Sequence, residues 1–193
     1  RGAWLVIAIG VLALQGDVRE HIHRLTELGS TAVEVRTVEQ LATCDGLVIP
    51  GGESTTISKL LVNFGMLEPV KEFVSSKPVL GSCAGLILLS KEVVGRLPDQ
   101  QLIGGLPVTV QRNAYGGQTH SFEAEGDFSG VSETVAFIRA PKIVDVQGCE
   151  VIATLGDEPV AVRHGTLFGA SFHPELTGAK ELHRQFLSAV KSV

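Results

Sequence analysis

Apolar residues run almost without a break from Leu5 to Leu14, the mark of a strand covered on both faces. Asp17 then stands where a helix cap belongs, Val18, Ile22, Leu25 and Leu28 share one helical face, and Gly29 supplies the stop. TAVEVRT reads as a second strand and DGLVIPGG as a third. Ile57, Leu60, Leu61 and Phe64 recur at i, i+3, i+4 and i+7, the stripe of an amphipathic helix. KPVLG predicts a fourth strand and AGLILLSKEVV the helix after it. Strands alternating with helices pair in parallel through right-handed crossovers.

From Leu102 to Leu167 the texture changes to short β-like pieces cut by glycine and proline: LPVTVQRN, VAFIRAP, EVIATLG, PVAVRHG and LFGASFHP. Hairpins and an antiparallel portion belong there. The last segment, Ala179 to Val190, turns Leu182, Phe186, Leu187 and Val190 to one side and predicts a helix packed on the sheet. With no repeat, low-complexity tract or linker, the expected fold is α/β: one domain over residues 1–193, built as a three-layer α/β/α sandwich with a mostly parallel central sheet and a short antiparallel portion.

Composition agrees with one sizeable core, since 193 residues at 44% hydrophobic bury enough surface for it. A net charge of −5, spread along the chain, leaves no basic stripe for nucleic acid and no polybasic patch for a membrane. Cys44, Cys83 and Cys149 form neither a CxxC pair nor an even framework, which points to a reducing, cytoplasmic setting. Arg1 ahead of an apolar stretch imitates a signal peptide. That stretch ends in Gln15-Gly16-Asp17 rather than a small-x-small site, and it is too short to span a bilayer. The chain does not open on methionine, and Arg1 to Trp4 read as a remnant of processing or cloning.

Ligands of open α/β sheets bind at the carboxyl ends of the strands, so the strand-to-helix turns are the places to search. Gly81-Ser82-Cys83-Ala84-Gly85 has the form of a nucleophile elbow with sulfur in place of the hydroxyl oxygen. The glycines leave room for a sharp turn, and the following helix start favours a thiolate. The plain alternative is that Cys83 is a small buried hydrophobe.

A nucleophilic thiolate needs an imidazole within reach and a third group to orient it. His21, His23 and His183 fall in amphipathic helices and read as solvated; His164, in an RHG turn, reads as exposed. His173 ends an apolar run in SFHPELT, with Glu175 two residues on. In extended backbone those side chains point the same way, and a carboxylate so placed fixes the ring tautomer. The alternatives are a turn-forming His-Pro with a solvated glutamate, and a zinc site from Cys83, His173 and Glu175, which lacks the usual close ligand spacing. A second turn, Pro50-Gly51-Gly52, can bare backbone N–H groups for an oxyanion, or is a glycine turn ahead of a helix capped by Ser54. Glu53 there disfavours phosphate.

GSCAG, PGGEST and FHPEL, in this order, resemble the triad-type, class I glutamine amidotransferases. IGVLALQGDVREH, PGGESTT, RNAYGGQ, SFEAE, FIRAP and SFHPELT are similar to the glutaminase subunits of pyridoxal 5′-phosphate synthases, and the likeness runs from Ile9 to about Phe186. The resemblance implies hydrolysis of L-glutamine to glutamate and ammonia through a thioester on Cys83, with His173 shuttling protons and Glu175 orienting it. It also implies Gly52 and Ala84 as oxyanion donors. Gly52, Glu53, Ser54, Arg112, Ile138 and Arg139 would be the glutamine-binding set, and Gln15 a partner-responsive residue. Surface ion pairs are the plain reading of the two arginines.

The implied partner is a separate (β/α)₈-barrel synthase subunit in a large hetero-oligomer, and the hydrolysis calls for no cofactor or metal. Other readings are an amidotransferase subunit or cysteine hydrolase serving a different synthase, a peptidase, and an inactive scaffold. Ser82 stands where many relatives carry threonine. Gly117 and His120 replace a larger polar residue and an aspartate, which bears on docking.

Overall fold

The computed structural model describes residues 6–113 and 121–193; Arg1 to Trp4, Gly117 and His120 lie outside them. The first apolar run contracts to strand β1 (Ala8–Leu12), with Val6 before it exposed. Its side chains alternate between two cores: Ile9 and Val11 enter one, Leu12 the other. After α1 (Val18–Glu27), β2 (Thr31–Val35) and the short α2 (Val38–Ala42), β3 (Gly46–Ile49) repeats the alternation, with Val48 on the β1 side of Ile9 and Leu47 and Ile49 opposite. The chain continues through α3 (Ser54–Asn63), α4 (Leu67–Ser76), β4 (Val79–Ser82) and α5 (Ala84–Leu89).

Three expectations change in this half. The helix after Gly81 stops at Leu89, where the Ser90 hydroxyl donates to the Leu86 carbonyl and the backbone turns extended into β5 (Ser90–Val94). Phe64 does not share the buried stripe of Ile57 and Leu61, because the helix ends at Asn63 and leaves it 62% exposed. Asp17 sits at the N-cap of α1, yet its side chain caps nothing.

β6 (Leu106–Gln111), β7 (Ser121–Phe128), β8 (Val131–Ile138), β9 (Lys142–Val146), β10 (Glu150–Leu155), β11 (Glu158–His164) and β12 (Leu167–Ala170) follow, then a 3-10 turn at Pro174–Leu176 and α6 (Glu181–Lys191). The main sheet runs β2-β1-β3-β4-β12-β11-β10-β7-β8. Its first five strands are parallel, and the pairings from β12 to β8 are antiparallel. β5, β6 and β9 form a second, small sheet.

One face of the main sheet carries Leu25 of α1 and Leu182, Phe186 and Val190 of α6; the other carries Ile57 and Leu61 of α3 and Val70 and Val74 of α4. Three layers result. Phe186 is fully buried, which contributes roughly 1.5–3 kcal/mol in apolar transfer. No helix among the described residues is long and apolar enough to cross a membrane.

Candidate active site

The site grows from the pairing of β4 with β12. Their parallel register sets Ser82 beside Ala170, so the residues just past the two carboxyl ends, Cys83 and His173, emerge on the same rim. Cys83 turns the corner into α5 with φ 50° and ψ −97°, a backbone that a Cβ rarely tolerates. The flanking glycines are required by space: a Cβ on Gly85 would stand 2.2 Å from the Ile49 carbonyl oxygen, and one on Gly81 2.5 Å from the Gly85 carbonyl carbon. Cys83 N–H donates to the Ala170 carbonyl at 2.8 Å, which ties the elbow to β12.

His173 is anchored by its own N–H on the Ala136 carbonyl at 2.7 Å. Its Nδ1 meets Glu175 Oε1 at 2.7 Å. The i, i+2 pairing thus holds, but through the 3-10 turn at Pro174–Leu176 rather than through extended backbone. Asp17 Oδ2 stands 3.1 Å from the same nitrogen. Burial alone would lower the His173 pKa, but hydrogen bonds with Asp17, Cys83 and Glu175, and the attraction of Cys83, push it up to about 12. These contacts favour the protonated ring.

Burial raises the Glu175 pKa against the pull of His173. Asp17 goes the other way: burial raises it, but the hydrogen bond and charge of His173 prevail and hold it low. Asp17, His173 and Glu175 keep three ligand-type atoms within 4.8 Å of one another, which invites a metal. A cation there would have to displace a proton the ring holds strongly, so the cluster suits proton handling better.

A cleft of about 280 Å³ opens beside Cys83 and His173, and it is bordered by Gln15, Gly52, Glu53, Ser54, Arg112, Ile138 and Arg139. Of the residues expected at the site, only Glu175 and Ala84 do not border it: Glu175 lies behind His173, and Ala84 opens α5 next to Cys83. Gln15 Oε1 accepts the Glu53 N–H at 2.8 Å, and a Cβ on Gly52 would stand 2.5 Å from that same oxygen. Gln15 therefore braces the Gly51-Gly52 turn directly.

Glu53, not Ser54, caps α3 through Thr56 N–H. Burial raises its pKa, but hydrogen bonds from Thr55 and Thr56 outweigh burial and keep it ionised. Its other oxygen is 3.5 Å from Arg112. Ser54 is buried and accepts from Gln100 Nε2 at 3.0 Å. Three of the four non-glycine residues with positive φ among the described ones, Cys83, Asn113 and Arg139, border this cleft. Strain gathered in one place is characteristic of functional sites.

Asp17 and Asn113 are borders that sequence reading did not assign. For Asp17 a signal existed, since it follows the carboxyl end of β1 by the same rule that singled out Cys83. His21 and His183 overturn the solvated reading: both are fully buried, and His21 Nδ1 lies 3.0 Å from His183 Nε2. Each helix turns its polar-looking histidine inward because the other helix supplies its partner. His23 and His164 are exposed as expected.

Residues 11–192 match the SNO glutamine amidotransferase family. The chain is 53% identical over 189 residues to a pyridoxal 5′-phosphate synthase subunit PdxT of Frankia alni and 50% identical over 187 residues to one of Geobacillus thermodenitrificans, each match covering 95% of both chains. It resembles a crystal structure of a glutamine amidotransferase at TM-score 0.88 and 48% identity, over 95% of this chain and 98% of that one. PurLQS from Thermotoga maritima, at TM-score 0.66 and 15% identity over 96% and 97%, shares the fold. With the family matched from the middle of β1 to the end of α6, the chain belongs to the SNO glutamine amidotransferase family.

Proposed function

We propose that this chain is the glutaminase of a pyridoxal 5′-phosphate synthase, with Cys83 as nucleophile, His173 as proton carrier and Glu175 as its orienting carboxylate. The supporting observation is that a strained Cys83 shares one cleft with His173, whose Nδ1 faces two carboxylates, Glu175 at 2.7 Å and Asp17 at 3.1 Å. The Cys83 sulfur attacks the side-chain carboxamide carbon of L-glutamine, and the backbone N–H groups of Gly52 and Ala84 receive the oxyanion. His173 gives its proton to the departing nitrogen, which leaves as ammonia, and a γ-glutamyl thioester remains on Cys83. The neutral ring then takes a proton from water as that water attacks the thioester. Glutamate departs, and the thiolate and imidazolium are restored.

Around the reacting bond, the carboxylate of Glu53 suits the substrate's ammonium and the guanidinium groups of Arg112 and Arg139 its carboxylate, with Ser54 and Ile138 completing the pocket. Free ammonia in water becomes ammonium and loses its nucleophilicity, so the product must pass directly to a synthase. The partner is a (β/α)₈-barrel subunit in a hetero-oligomer, with Gln15 coupling docking to the oxyanion turn it braces. The three cysteines are unpaired, in keeping with a cytoplasmic setting. Ammonia release from glutamine, measured on this chain with and without purified synthase subunit, tests the reading. Release that rises on adding the synthase supports it, and no release under either condition rejects it.

A further inference from the structure

Behind Glu175 lies polar machinery that the triad does not use. His21 of α1 and His183 of α6 are both fully buried, and together they form a column that ends on the orienting carboxylate. His183 Nε2 is 3.0 Å from His21 Nδ1, and His21 Nε2 is 3.4 Å from Glu175 Oε2. The last contact is long and off the hydrogen-bond line, which leaves His21 Nε2 buried without a well-aligned partner. An unpaired N–H in such a place is costly, and hydrogen bonds in unliganded sites often tighten only with substrate bound.

The proton positions follow from the partners. Among the described residues His183 Nδ1 has no hydrogen-bond partner, which assigns it the lone pair and puts the proton on Nε2, toward His21 Nδ1. That leaves the His21 proton on Nε2, aimed at Glu175 Oε2. The other Glu175 oxygen bonds His173, and the Ser82 hydroxyl, 3.4 Å from Oε2, gives its better bond to the Phe172 carbonyl at 3.1 Å. Burial first opposes protonation of both histidines, and nearby charge adds to it: His183, His173 and Arg24 for His21, and the buried Arg24, one turn along α1, for His183. We propose that His21 is a positioning residue for Glu175: its Nε2–H, directed by the His183 bond behind it, fixes the carboxylate that orients His173.

The kinetic arm of the test rests on the glutaminase reading; the spectroscopic arm does not. Assayed as the full chain with its synthase subunit, His21→Phe removes the donor while keeping the site filled, and His21→Gln returns an N–H near the Nε2 position. The Phe variant should lose about ten- to a hundredfold in kcat, the fold-change carried by one hydrogen bond to a charged group, with KM for glutamine nearly unchanged. The Gln variant should recover most of that loss. Two variants equally impaired, or both as active as the unaltered chain, would overturn the inference. If the unaltered chain releases no ammonia, the glutaminase reading fails instead.

Nitrogen-15 NMR of histidine-labelled, unaltered chain decides the matter independently, including where the Phe variant does not fold. Neutral His21 and His183, each with its proton on Nε2, is the expected result. A proton on His21 Nδ1, with Nε2 bare toward Glu175, excludes the positioning role.

Discussion

Asp17 Oδ2 lies 3.1 Å from His173 Nδ1, so the nitrogen that bonds Glu175 also faces a second carboxylate. The two are not equivalent. Glu175 approaches to 2.7 Å with its side chain fully buried, whereas that of Asp17 is 31% exposed and its attraction is screened by water. Glu175→Gln should therefore lower kcat on the order of 10⁴-fold, as loss of a triad carboxylate does. Asp17→Asn should lower it only about tenfold, with KM for glutamine little changed in either. Steady-state kinetics on both variants checks the ranking, and equal losses would mean that the two carboxylates share the ring evenly.

Gly51 packs flat against the His173 ring. A Cβ added there would stand 2.3 Å from His173 Cε1 and 2.6 Å from Nδ1, so Gly51→Ala must displace the ring or the turn. A shift of about 1 Å costs on the order of a hundredfold in turnover. Gly29→Ala is the control: its φ of +84° strains any side chain, but its surroundings are open. It should lower stability by about 1 kcal/mol and leave turnover alone. Full activity in Gly51→Ala would show that the Gly51-Gly52 turn can move aside without consequence.

The parallel half of the sheet was legible because β1, β3, β4 and β12 each send apolar side chains to both faces. Cys83, His173 and Glu175 were legible for a related reason: the strands announce where they end. What stayed hidden depends on partners far along the chain. β7 carries SFEAEGDF and is mostly exposed, so its charges mask the strand alternation that β8 completes. Ser90 converts a helix into a strand through one side-chain bond that periodicity cannot register. His21 and His183 look solvated on their own helices, and only the packing of α1 beside α6, 162 positions apart in sequence, makes each the other's partner.

At the elbow, chemistry and stability pull in opposite directions. Cys83→Ala and Cys83→Gly should both abolish turnover, by at least about a thousandfold, since each removes the proposed nucleophile. Their stabilities should differ in the reverse of the usual order. With φ 50° and ψ −97°, alanine keeps the strain of a Cβ and glycine releases it, so the glycine variant should be more stable by about 1 kcal/mol. Urea midpoints of the two folded variants measure this, and a more stable alanine variant would show that the elbow carries no strain.

Acid should unfold this chain through the buried histidines. Burial first, and the charge of Arg24 second, lower the His183 pKa from 6.5 to about 3. The unfolded chain therefore binds a proton below pH 6.5 that the folded chain refuses, and the stability present above that value is lost as pH falls toward 3. The loss across that window is on the order of a few kcal/mol. His21 is lowered by burial and by His183, His173 and Arg24, and it contributes in the same direction. His183→Leu should accordingly flatten the decline between about pH 7 and pH 5 without abolishing it, because His21 remains. Urea unfolding at both pH values, on the variant and the unaltered chain, provides the measurement. Identical declines in the two would mean that His183 is protonated in the folded state, and that the column behind Glu175 is charged rather than neutral.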